Sequence, residues 1–81
     1  MAREKIAQRV KAVTARELNK NVNQINEEHN FAYDLGADSL KSIELVAAFE
    51  EEFDLDLDEE EALKVQTVGG AIEFFSKLLL N

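Results

Sequence analysis

Ser39 is the residue whose type and position best fit a chemical role. It lies in the run Asp34-Leu-Gly-Ala-Asp-Ser-Leu-Lys-Ser-Ile-Glu-Leu-Val46, at the predicted start of an amphipathic helix that Asp38 or Ser39 can cap. The unbonded backbone N–H groups and the dipole at such a start favour an anionic group. Gly36 has no Cβ and lets another protein approach closely. This arrangement suits a serine that another enzyme modifies through a phosphodiester.

Catalytic and metal-binding patterns are absent from the sequence. His29 is the only histidine, and a dyad with Ser39 would lack an orienting acid and recognisable oxyanion donors. We interpret His29 as a surface or loop-packing residue and expect no catalytic residue. The run Asp54-Leu-Asp-Leu-Asp58 imitates the opening of a calcium loop, but Glu59 replaces its turn glycine and Val65 its bidentate glutamate. We expect no specific metal site, although loose binding of divalent ions stays open.

Length and composition indicate one small domain spanning residues 1–81. The chain has no cysteine, so it has no disulfide framework and no thiol of its own, which is compatible with a reducing cytosol. Its N-terminus is charged, and no apolar run approaches the length of a membrane span. We therefore expect a soluble, unprocessed, cytoplasmic monomer without membrane insertion.

Charge is distributed unevenly along the chain. Residues 1–30 hold six Lys and Arg against four Asp and Glu, whereas residues 31–81 hold three against thirteen, which gives the net charge of −8. So dense an acidic surface repels nucleic acid and attracts basic protein patches. The alternative is a solvated acidic surface that serves only solubility.

Apolar periodicity predicts an all-α fold, a small four-helix bundle with three longer helices and a short third one. The helices are expected at about Arg3 to Leu18, Ser39 to Phe53, Asp58 to Lys64 and from Thr67 onward. Thr67 and Asp58 are predicted N-caps. The Asn-rich stretch from Asn19 to Asn30 breaks the pattern and forms a long loop between the first two helices.

The expected core combines residues of the loop and the helices. Ile6, Val10 and Val13 form the apolar stripe of the first helix. The loop is expected to be fixed on the core by Val22, Ile25, Phe31 and Leu35. The fourth helix contributes Val68, Ala71, Ile72, Phe75, Leu78 and Leu79, and Tyr33 and the remaining phenylalanines are also assigned to the core.

The second helix is apolar on two faces. At about 100° per residue, one arc that must face the core is formed by Leu45, Val46, Phe49 and Phe53. A second stripe, which we call the apolar strip, consists of Leu40, Ile43 and Ala47 and points well away from the first. It is bordered by Glu44 and Glu51 on one side and by Glu50 and Asp54 on the other. An exposed apolar strip edged by charge is typical of a docking surface; alternatively, Leu40 or Ile43 packs under the Asn-rich loop.

The ordered residues around Ser39 resemble the prosthetic-group attachment motif of acyl carrier proteins. Asp34-Leu-Gly36 is followed by Asp38-Ser-Leu40 and Glu44-Leu-Val46. An Asp-Ser-Leu triplet alone is an ordinary helix cap, but the likeness covers nearly the whole chain. It takes in Phe31, Glu50-Glu-Glu-Phe53, the acids from Asp58 to Glu61, and Thr67-Val68.

This resemblance implies a carrier that is not an enzyme. A phosphopantetheinyl transferase, using coenzyme A and magnesium, would attach 4′-phosphopantetheine covalently to Ser39, between Asp38 and Leu40. Acyl groups would be held on its thiol, which leaves more readily than an alkoxide because its pKa is about 8.5. Small residues such as Ala62 and Ala71 would leave room in the core for an aliphatic chain.

The resemblance also implies that the second helix contacts partners, namely acyl-transfer and fatty-acid synthesis enzymes with basic docking patches. The positions concerned are Asp38, Leu40, Lys41, Ile43, Glu44, Ala47, Glu50 and Glu51. Lys41 stands where many fatty-acid carriers have an acid. We expect it to tune partner choice; the alternative is a solvated lysine paired with Glu44.

The length, the acidity and the Asp34 to Leu40 run match stand-alone bacterial carriers of fatty-acid biosynthesis best. A carrier for a specialised lipid, polyketide or aminoacyl pathway stays open because of Lys41 and because Leu57-Asp58 lacks a frequent proline. Two rivals belong to other classes. One is an interaction module that is never modified, and the other is a serine hydrolase, which the missing base disfavours.

Overall fold

The computed structural model describes residues 2–80 and consists of four α-helices connected by loops. Helix α1 spans Arg3–Leu18, α2 spans Ser39–Phe53, α3 spans Glu59–Leu63 and α4 spans Val68–Leu80. The predicted four-helix, all-α fold is confirmed. A short 3₁₀ turn, Val22–Gln24, lies within the long loop and was not predicted. None of the helices in the described range has the length and apolar character needed to cross a membrane.

Side-chain caps fix where three of the helices begin. Asp38 accepts a hydrogen bond from the Lys41 N–H at 2.8 Å and Asp58 accepts one from the Glu61 N–H at 3.2 Å. The Thr67 hydroxyl accepts a third from a backbone N–H of α4. Each bond satisfies a donor that has no partner within its own helix. The caps predicted for α3 and α4 are therefore confirmed.

The core lies where α1 packs against both α2 and α4, while α3 packs against α2. The expected stripes are buried, with Leu45, Phe49 and Phe53 of α2 facing the other helices. The ring of Phe75 lies at its centre, 5.2 Å from the Phe49 ring and 4.7 Å from the Phe53 ring. Burial of these apolar surfaces supplies the main driving force for folding.

Three residues that we assigned to the core are exposed instead. Val22 begins the 3₁₀ turn and points to solvent, while Ile25 directly after the turn is buried. Tyr33 is 91% exposed because it lies in a tight turn whose backbone bonds to the side chain of Asn30. Leu78 is half-exposed beside the buried stripe of α4. For Val22 and Tyr33, local backbone geometry decides the direction of the side chain.

Backbone hydrogen bonds tie the long loop to the start of α4. The N–H groups of Val68 and Gly69 donate to the carbonyls of His29 and Glu27, at 3.0 and 2.8 Å. The Phe31 N–H donates to the Gln66 carbonyl at 2.9 Å. These bonds give the backbone groups of the loop the hydrogen-bond partners that they would otherwise find in a helix or a sheet.

An arginine of α1 reinforces this connection from the other side. Arg3 bonds to Glu27 of the loop at 3.1 Å and to Glu73 of α4 at 2.8 Å. The hydrogen bond from Arg3 lowers the pKa of Glu27 below its usual value. One guanidinium group therefore joins three separate segments of the chain.

The contact between Gly69 and Glu27 leaves no space for a side chain, which generates a stability prediction. A Cβ on Gly69 would lie 3.0 Å from the Glu27 carbonyl oxygen, which belongs to the backbone. We expect Gly69→Ala to lower the free energy of unfolding by about 1–3 kcal/mol through overpacking. Urea denaturation measures the change.

Gly70→Ala is the matched control, because its Cβ would meet the Thr67 hydroxyl, a side chain that can rotate away. Loss of that cap is offset by the roughly 1 kcal/mol that alanine gains over glycine inside a helix. An equal or smaller loss for Gly69→Ala than for Gly70→Ala would contradict the prediction.

Candidate functional site

Ser39 is the first residue of α2 and is exposed to solvent. The N-cap is Asp38, whose carboxylate binds the Lys41 N–H at 2.8 Å. The two possibilities left open by the sequence are thereby resolved in favour of Asp38. Within residues 2–80 the Ser39 hydroxyl has no hydrogen-bond partner, so it is available for chemistry at the positive end of the helix dipole.

The turn before Ser39 is held by side-chain bonds that the sequence analysis did not anticipate. The side-chain oxygen Oδ1 of Asn30 accepts hydrogen bonds from the N–H groups of Ala32 and Tyr33, and the Asp34 carboxylate accepts one from the Asn30 backbone N–H at 2.6 Å. Such Asn and Asp bonds are the usual signal of a turn. Gly36, with φ of 77°, then reverses the chain in a conformation that favours glycine.

No catalytic or metal-binding group accompanies Ser39. His29 accepts a hydrogen bond at Nδ1 from the Asn26 N–H at 3.1 Å, as expected of a loop-packing residue. Over the described part of the chain, no three His, Cys, Asp or Glu residues lie close enough together to hold a metal ion.

The apolar strip of α2 is exposed. Leu40 is 64% exposed and Ile43 is 45% exposed, and Ala47 beside them is also on the surface. The opposite face carries the buried core residues of the helix. The alternative in which Leu40 or Ile43 packs under the Asn-rich loop is therefore wrong, and the strip is free to contact another molecule.

The acids that border this strip have different surroundings. Glu44 forms an ion pair with Lys41 at 3.3 Å, the pairing weighed in the sequence analysis. The partly buried Glu50 carboxylate accepts a hydrogen bond from the Leu57 N–H at 2.8 Å and thereby holds the loop between α2 and α3. Glu51 is exposed and has no ion pair within residues 2–80.

A cavity of about 280 Å³ lies beside the start of α2. Its lining comes from α2, α3, α4 and the preceding turn, and it includes Phe31, Phe49, Phe74 and Phe75. Ala62 and Ala71, which we expected to leave room in the core, both line it. Ser42 also lines it, three residues or about 4.5 Å of helical rise from Ser39. A flexible group on Ser39 therefore has an apolar space nearby.

The segment from Asp54 to Glu61 carries six exposed acids within eight residues. The nearby cation Lys64 contacts Glu61 at 3.7 Å. We expect the melting temperature to rise with sodium chloride concentration, because salt screens repulsion between exposed charges. A gain of 1 kcal/mol would correspond to about 4–8 °C in a domain of this size.

Thermal unfolding in a salt series measures this effect. Neutralising two of these acids, as Asp56→Asn with Glu60→Gln, should raise the melting temperature at low salt and flatten its salt dependence. Glu28→Gln, an exposed acid of the Asn-rich loop, is the control. A melting temperature that does not depend on salt would show that these acids are already balanced.

Two comparisons with known proteins agree with this geometry. Residues 8–75 match the family model described as phosphopantetheine attachment site. The structure is also similar to that of the acyl carrier protein from Enterococcus faecalis, with a TM-score of 0.76 and 31% sequence identity. That match covers 95% of this chain and 98% of the other.

Proposed function

Because this chain belongs to the acyl carrier protein family, whose members hold 4′-phosphopantetheine covalently, we propose that Ser39 is its attachment residue. The observation that carries this proposal is the exposed, unbonded hydroxyl of Ser39 at the start of α2. Asp38 and Leu40 flank it, and Asp38 fulfils the capping role. The hydroxyl oxygen is therefore free to form the phosphodiester bond.

The residues around Ser39 suit the product of this modification. The start of α2 presents N–H groups and a positive dipole end to the new phosphodiester, which stabilises its negative charge. The transferase would supply the base that takes the Ser39 proton and bind magnesium. Coenzyme A would supply the phosphopantetheinyl group as its pyrophosphate bond breaks, with adenosine 3′,5′-bisphosphate as the leaving group. When bound, the arm supplies the thiol that this cysteine-free sequence lacks. The chain itself acts as a carrier and performs no bond chemistry.

The cavity supports a role with aliphatic acyl groups. Its volume of about 280 Å³ is close to the lower end of the range of small-molecule sites, about 300–1,000 Å³. The apolar lining and the short path from Ser39 favour partial burial of an acyl chain. We infer that the single domain serves fatty-acid biosynthesis as a cytoplasmic monomer. A specialised-lipid, polyketide or aminoacyl pathway is the second candidate, which the Lys41–Glu44 pair favours because it reduces the acidity of α2.

Replacement of the attachment residue tests the first part of the proposal. We expect Ser39→Ala to fold normally, with a stability change below about 1 kcal/mol because Asp38 provides the cap. It should gain no mass after incubation with a phosphopantetheinyl transferase, coenzyme A and magnesium. Ser42→Ala, one turn along the same helix, is the matched control and should be modified fully. An arm on Ser39→Ala, detected by intact mass, would place the site elsewhere.

Filling the cavity tests the second part. In the octanoyl-loaded protein, each CH₂ that enters the cavity should contribute about 0.8 kcal/mol. We expect octanoyl loading to raise the melting temperature of the natural chain above that of its acetyl-loaded form. Ala62→Leu should remove most of this difference, since Ala62 lines the cavity.

Glu60→Leu is the control for this substitution, because it places a leucine on an exposed position of the same helix. It should preserve the difference between the octanoyl and acetyl forms. Equal melting temperatures of the two loaded forms in the natural chain would argue against acyl burial.

A further inference from the structure

A polar groove runs between α1 and α2, beside the apolar strip. It contains the cations Arg16 and Lys41 and the acids Glu17, Glu44, Glu51 and Glu52, and we call it the mixed-charge groove. Ala47 of the apolar strip also lines it, so the two surfaces are continuous. The residues of α1 in this groove were not among the predicted docking residues.

Ion pairs within the chain neutralise most of the acids in this groove. Glu44 pairs with Lys41 and Glu17 pairs with Arg16, both at 3.3 Å. Glu52 pairs with Arg9 of α1 at 2.7 Å. Glu51 is the acid of the groove without an ion pair among the described residues. The groove therefore differs from the uniformly acidic segment between Asp54 and Glu61.

The two cations retain donors that face solvent. The Arg16 side chain is 61% exposed, and its Nε donates to Glu17 while a guanidinium has five N–H groups in total. The Lys41 side chain is 48% exposed and presents an ammonium with three donors. Ion pairs this exposed contribute only about 0–1 kcal/mol to stability, so they are easily exchanged for pairs with another molecule.

A uniformly basic partner fits this surface less well than a partner of mixed charge. It would place like charges against Arg16 and Lys41, and such repulsion discriminates strongly between partners. A fitting partner has a carboxylate where it meets these cations, a cation where it meets Glu51, and an apolar side chain over the strip at Ile43. Charge complementarity of this kind also determines the orientation of docking.

We propose that the mixed-charge groove is a docking surface for a partner enzyme that presents a carboxylate to Arg16 and Lys41 and a cation to Glu51. This inference rests on the carrier function proposed above. It adds α1 to the docking surface and specifies a partner of mixed charge.

A charge-swap experiment tests the inference without requiring the arm. The probe is a fatty-acid condensing enzyme with a basic carrier-docking surface, which we call the parent enzyme. It is compared with a series of variants, in each of which one Arg or Lys of that surface is replaced by Glu. Dissociation constants are measured for the unmodified carrier at low and high salt. Three carriers are compared: the natural chain, the groove variant that combines Arg16→Glu and Lys41→Glu, and the control variant that combines Lys5→Glu and Lys20→Glu. The control makes the same change in net charge at exposed positions outside the groove.

We expect the natural chain to bind at least one Glu-substituted enzyme about fivefold more tightly than the parent enzyme at low salt. The groove variant should reverse this preference, and the control variant should keep it. The preference should shrink at 1 M salt, where the screening length is about 3 Å.

Three outcomes would overturn the inference. The natural chain could prefer the parent enzyme to all its variants, all three carriers could show the same rank order of affinities, or no enzyme could bind. Failure of the proposed function has a different signature, since it appears as missing mass on Ser39 after the transferase reaction. A chain that is loaded but shows no charge-dependent preference remains a carrier and loses only the docking inference.

Discussion

The backbone pairing between the long loop and the start of α4 is the constraint on which the rest of the structure depends. The Gly69 N–H and the Glu27 carbonyl, 2.8 Å apart, bring together residues that are distant in sequence. This pairing occupies N–H groups of α4 that would otherwise lack partners. It also holds the middle of the loop against α4, and the chain runs from there to Asp38, which caps α2. The position of Ser39 relative to α4 thus depends on this pairing as well as on the local cap.

The α2 helix serves the core and the surface with different residues. Leu45, Phe49 and Phe53 are buried, whereas Leu40 and Ile43 face solvent. Because the buried residues provide the packing of α2 against the core, the exposed residues are not needed for that packing. Its charges divide in the same way, since the Glu50 carboxylate holds a neighbouring loop and the Glu51 carboxylate faces outward.

Local periodicity and caps determined the helices, whereas turn geometry and contacts between helices determined the details around the site. Arg3–Leu18 was predicted from its apolar period, and Ser39–Phe53 from its apolar period together with the cap that precedes it. Helix geometry separated the apolar strip from the buried face, but its exposure was decided only by the structure. In contrast, the outward position of Tyr33 depends on bonds to Asn30 within a turn, and the pairing of Glu52 with Arg9 joins two helices. Neither could be derived from the spacing of residues along the chain.

The assignment of the cap to Asp38 separates two events in time. Since the Asp38 carboxylate, and not the Ser39 hydroxyl, bonds to the first turn of α2, folding makes no use of the hydroxyl. A newly synthesised chain can therefore reach its final structure before any transferase meets it. By linkage, a phosphodiester on Ser39 that interacts with the positive end of α2 would stabilise the folded chain further. Under the proposed function, modification would therefore follow folding and reinforce it.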